Sequence, residues 1–227
     1  MLIVEDLMLL MLDDEKGTVA RAGALNYSLG GAVLVELALL GRIEADEDRA
    51  GLNGPEVLAV GDGPLPDPLL QSAYDEIAQK PQGIQALILS IGAGLQEPVL
   101  DRLVERGLIR RESKRVLGVF RTTTWPAEDT RHEAELRRVI GAVLVDGESP
   151  DARTAAMIAL LSSSGTLPAL RPAFPWSDEV RRRAKELEDG NWGATAVTTA
   201  MARNAARIAA TAATSAAVSV AVFTAIT

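Results

Sequence analysis

Residues 30–41, "GGAVLVELALLG", limit the fold more than any other stretch of this chain. Wound as a helix, they place small or apolar side chains on every face and a single charge, Glu36. A helix that is apolar all round must be enclosed, by other helices or by lipid. At about 1.5 Å per residue the segment is about 16 Å long, roughly half of the ~30 Å core of a bilayer. It is therefore read as the enclosed helix of a protein core. Ser28 offers an N-cap, the helix runs over 29–40, and Gly41 ends it.

Apolar spacing predicts further helices over 2–12, 68–80, 83–92, 98–106, 127–145, 151–162 and 177–189. Pro81 separates 68–80 from 83–92, and Ser177 caps the last. Residues 165–176 hold Pro168, Pro172 and Pro175 and read as loop. Short strand-like runs at 42–45 and 56–60, then at 108–111 and 116–122, predict two β-hairpins. "LVELALLGRIE" and "LDRLVERGLIRRE" share one layout: a helix, a glycine, then a hairpin, with Gly41 and Gly107 at the helix ends. Ile208–Thr227 carries no charge, but Ala and Thr dominate it. It is read as a core helix packed closely through Ala, not as a membrane span. Residues 1–12 are apolar but interrupted by Glu5 and Asp6, and are not read as a signal peptide.

Composition removes several kinds of chemistry. There is no cysteine, so no thiolate site can form, and one histidine, His132, makes a His-based zinc site or triad very hard to build. Nucleophile-elbow, Walker A, dinucleotide-loop and zincin motifs are absent from the sequence. The reading is of a protein that is not an enzyme and needs no metal or cofactor. His132 falls on a charged helix and is expected to be solvated. Asp13, Asp14, Glu44, Asp46, Glu47 and Asp48 are expected in solvated turns. Arg181, Arg182 and Arg183 point about 100° apart on a helix and are expected to pair along it, Arg182 with Glu186 for example. The many Ala residues, and Arg far outnumbering Lys, suit a GC-rich bacterial source.

The net charge is −8, which repels nucleic acid and anionic lipid unless a local basic patch intervenes. Residues 101–125 are such a patch, with seven basic residues against three acidic, a net of +4. A helix followed by a basic hairpin has the layout of a winged helix. DNA binding is the weakest of the readings, because the rest of the chain is acidic.

Five stretches in order resemble the Golgi phosphoprotein 3 family: "LIVEDLMLLMLDDEKG", "LGGAVLVELALLGRIE", "RLVERGLIRRE" with "TTTWP", "RTAAMIALLSSSGTLPALRPAF" and "AVSVAVFTAI". The resemblance implies a mainly α domain spanning 1–227. It implies a central hydrophobic helix bundle ringed by amphipathic helices, with one or two small β-hairpins. It also implies a peripheral membrane adaptor that binds phosphatidylinositol 4-phosphate through one Trp and three Arg, and that holds protein tails. In this sequence those four positions fall on Arg21, Gly30, Ala93 and Gln96, so three guanidiniums are replaced and any anionic-lipid specificity is altered. The expected place is the cytoplasm, at the inner face of a membrane. The alternative is a soluble module that forms homo-oligomers through the second hairpin, at Arg111, Lys114, Arg115, Val116, Leu117, Val119 and Phe120.

Overall fold

The enclosed helix is α2, Leu25–Leu39, and it is the hub of the molecule. Around it pack α1 (Ile3–Met11), α4 (Ile84–Gly92), α7 (Ala152–Ser163) and α9 (Ala200–Ile226). The computed structural model describes residues 1–13, 16–19, 22–116, 120–170, 173–192 and 200–226. All nine residues of α1 are buried, Glu5 and Asp6 among them. The outer helices are α3 (Pro68–Gln79), α5 (Gln96–Glu105), α6 (Arg131–Leu144) and α8 (Asp178–Glu188). Each buries one stripe at helical spacing, such as Leu70, Ala73 and Ile77 on α3 or Val180, Ala184 and Leu187 on α8. The protein is mainly α, as the sequence predicts.

Glycines set how closely the central helices approach. A Cβ on Gly30 would stand 2.2 Å from the Ile88 carbonyl oxygen, and one on Gly92 would stand 1.9 Å from that of Asn26. Helices α2 and α4 therefore cross backbone against backbone. On its other side α2 meets α7 and α9, where a Cβ on Gly31 would lie 2.8 Å from the Ala212 methyl. The helix begins earlier than expected. A 3-10 turn over Ala22–Ala24 leads into Leu25, so Ser28 is an interior residue and not the cap. Its hydroxyl is buried and finds no partner among the described residues.

Both helix–glycine–hairpin units are present. Gly41 and Gly107 have φ of 66° and 69°, a conformation that favours glycine. Arg42 N–H donates to Leu37 O at 2.9 Å, and Leu108 N–H to Leu103 O at 3.1 Å, so the two helices end in the same way.

After Gly41 comes an antiparallel sheet of β1 (Ile43–Gly51), β2 (Gly54–Ala59) and β3 (Gln82–Gly83), in that order. Glu44, Asp46, Glu47 and Asp48 lie on β1 and not in a turn as expected. An edge strand tolerates charge because one side faces solvent, and charge there discourages stray pairing. Asn204 of α9 covers part of that edge, donating to Ile43 O at 2.8 Å and accepting from Ala45 N–H at 3.0 Å.

After Gly107 comes the hairpin of β4 (Glu112–Val116) and β5 (Phe120–Thr124). The paired strands start later than the predicted 108–111 and 116–122. Leu108 and Ile109 are buried and anchor the base, so pairing begins where the sequence turns polar. The uncharged part of α9 buries Ile208, Ala209, Ala212, Ala213 and Ala216 against the bundle. No described helix is long and apolar enough to cross a membrane.

Candidate functional site

The two charges of α1 build an ionic junction that ties its first turn to five other elements. Glu5 is fully buried. It accepts from Arg102 Nε at 2.7 Å, Arg106 Nη2 at 3.2 Å and Leu2 N–H at 2.7 Å. Arg102 also holds Asp67 with both terminal nitrogens, and Asp67 in turn caps α3 by accepting from Leu69 N–H at 2.9 Å. Asp6 accepts from Arg153 Nη2 at 2.8 Å and lies 2.8 Å from His132 Nε2. Arg153 continues to Glu36 at 3.0 Å and to the Met1 carbonyl at 2.7 Å. Glu36, the lone charge of the central helix, also accepts from Ile3 N–H and so caps α1 from outside.

Burial alone would raise the Glu5 carboxyl. The Leu2 N–H and the Arg102 and Arg106 guanidiniums outweigh it and hold Glu5 below its ordinary value. Asp67 is lowered in the same way, burial being overcome by Arg102 and by the Leu69 and Leu70 N–H groups. Arg153 is desolvated, yet Asp6 and Glu36 keep it above its usual value. The junction is held together by mutual charge satisfaction. His132 belongs to it and is not the freely solvated residue expected, its side chain being 36% exposed. Two of the seven basic residues of the 101–125 patch, Arg102 and Arg106, are turned inward here.

The four positions that the resemblance assigns to a headgroup are placed less favourably. Gly30 sits inside the α2–α4 crossing, where no side chain fits. Ala93 is the exposed C-cap of α4 at the same crossing, next to Gly92, and Gln96 opens α5. Arg21 lies outside the described residues, between Val19 and the 3-10 turn. The segment leading to it is stapled to the second hairpin, for Trp125 N–H donates to Gly17 O at 2.8 Å. Gly17 has φ of 61°, and a Cβ there would stand 2.6 Å from Trp125 N.

In the hairpin the register sets Lys114 opposite Thr122, Arg115 opposite Arg121 and Val116 opposite Phe120. Leu117 and Val119 lie outside the described residues. Arg111 is exposed and reaches Glu97 and Asp101 only at 3.8 Å.

On α8, Arg182 pairs with Glu186 at 2.5 Å as expected, while Arg181 pairs with Asp178 at 2.9 Å. Arg183 leaves the helix surface and donates to Val143 O at 2.6 Å and Glu148 O at 2.9 Å. The junction was not foreseen from the sequence. Its signal was there in Glu5, Asp6 and Glu36, single charges set inside otherwise apolar helices.

A bundle built on one enclosed helix, with a buried ionic junction and a two-stranded hairpin rich in basic residues, defines a mainly helical scaffold. The family model of Golgi phosphoprotein 3 (GPP34) matches residues 3–204, and the chain belongs to that family.

Proposed function

We propose that this chain is a non-enzymatic adaptor that meets the inner face of a membrane through charge, without a fitted phosphoinositide pocket. Gly30 carries this reading. Where the resemblance calls for a phosphate-binding Arg, the backbone of α4 leaves space for no side chain. Ala93 and Gln96 supply no guanidinium either. What remains for an anionic surface is the second hairpin, with Arg110, Arg111, Lys114, Arg115 and Arg121 against Glu112. Short protein tails are the other partner this adaptor would hold.

Binding of this kind is screened by salt, since the Debye length falls from about 10 Å at 0.1 M to about 3 Å at 1 M. Flotation with phosphatidylglycerol vesicles tests it. The chain should float at low salt and not at 1 M, and Arg115→Glu with Arg121→Glu should leave it unbound at both. No flotation of the unaltered chain at low salt would end the lipid reading.

A second reading is favoured by the hairpin's edges. Among the described residues, β4 and β5 pair only with each other, so each offers an open edge to a second copy. In that case the hairpin makes a homo-oligomer, and light scattering after its deletion should report a monomer.

A further inference from the structure

A groove of about 500 Å³ runs between α3, the α4–α5 connection and the start of α5. That volume lies within the range of small-molecule sites, about 300–1,000 Å³. Leu69, Ala73, Ile91, Leu95 and Pro98 make it apolar. Across it Ser90 Oγ donates to Glu76 Oε1 at 2.6 Å.

The charge balance of this groove is one-sided. Arg102 closes one end, but its guanidinium is already committed to Glu5 and Asp67. Among the described residues no cation pairs with Glu76, whose partner is the Ser90 hydroxyl. Lys80, four residues on, would be the usual helical partner. It sits at the C-cap in extended backbone, φ −159° and ψ 124°, and has left the helix. Ala93 and Gln96, which flank Gly94 and Leu95 of the groove, add no charge. An apolar trough with one uncompensated carboxylate at its lip is complementary to an apolar body that ends in a cation, because a charge-assisted hydrogen bond then adds to the burial.

We propose that this groove binds a small amphiphilic cation, a primary ammonium on an apolar chain. The ammonium sits on Glu76 and the chain lies along Leu69, Ile91 and Leu95. The site does not depend on the lipid reading, and its test contains no lipid.

The full chain is titrated with n-hexylamine at pH 7, with 1-hexanol and hexanoate alongside, and binding is followed by backbone amide shifts. Hexylamine should move the amides of Ser72, Ser90 and Gly94 and bind about tenfold more tightly than hexanol, as expected for a hydrogen bond to a charged group. Hexanoate should bind least. Glu76→Gln, a change at a partly exposed position, should bring hexylamine down to the level of hexanol. Ser72→Trp, at an exposed position in the groove, should block all three ligands. Glu105→Gln, an exposed carboxylate outside the groove, should change nothing. Equal binding of amine and alcohol would overturn the proposal. So would amine affinity that survives Glu76→Gln, or amide shifts that fall elsewhere or nowhere in the millimolar range.

Discussion

Glu5 shows how a charge can be stabilised in a core. It has no solvent exposure, yet two guanidiniums and a backbone N–H keep it ionised more readily than a free glutamate. The sign of the pH effect follows. A carboxyl whose folded value is lowered adds stability above its unfolded value of 4.5, and that contribution is lost as pH falls through the lower folded value. Denaturant unfolding between pH 7 and pH 3 should show the native chain losing stability below about pH 4.5. Glu5→Gln, less stable at pH 7, should lose less over the same interval. Parallel curves for the two proteins would mean that Glu5 is not linked to the acid limb. At this scale the sequence showed the charges but not their partners. Glu36 stands out as one acid among apolar residues, whereas Arg153 lies 117 positions away, a separation that local pattern does not bridge. His132 was misread for the same reason, since Asp6 is 126 positions off.

At the scale of elements, glycine placement decides the packing of α2. Inside a helix Gly is worse than Ala by about 1 kcal/mol, so Gly30→Ala would stabilise a free helix. Here the added methyl would meet the Ile88 carbonyl oxygen at 2.2 Å, and backbone cannot step aside as a flexible side chain can. Overpacking of this kind costs about 1–3 kcal/mol, and contact with backbone places Gly30→Ala at the upper end. Denaturant midpoints should therefore fall for Gly30→Ala, and a rise would mean the crossing is looser than described.

The helix ends at Gly41 and Gly107 were legible because positive φ leaves a clear mark in sequence. Strand β1 was legible only at its start, 42–45, because the acids that follow match the composition of a turn. Only pairing with β2 and cover from Asn204 make it a strand. Two of the positions that the resemblance assigns to a headgroup, Gly30 and Ala93, do come together at one crossing. Their spacing from the motifs was readable, but the lack of room at Gly30 was not, since Ile88 is brought there by the fold.

The whole molecule is acidic, with a basic hairpin set on a bundle of the Golgi phosphoprotein 3 family. A net charge of −8 opposes contact with an anionic surface everywhere except where positive residues concentrate. Under the proposed function, contact with lipid is made by charge and not by a fitted headgroup site. This is tested most directly by flotation on two sets of vesicles of equal surface charge, one carrying phosphatidylinositol 4-phosphate and the other phosphatidylglycerol. Equal binding to both, with an equal loss as salt rises, is expected. Binding to the phosphoinositide vesicles that is stronger at matched charge, and that persists at high salt, would contradict it.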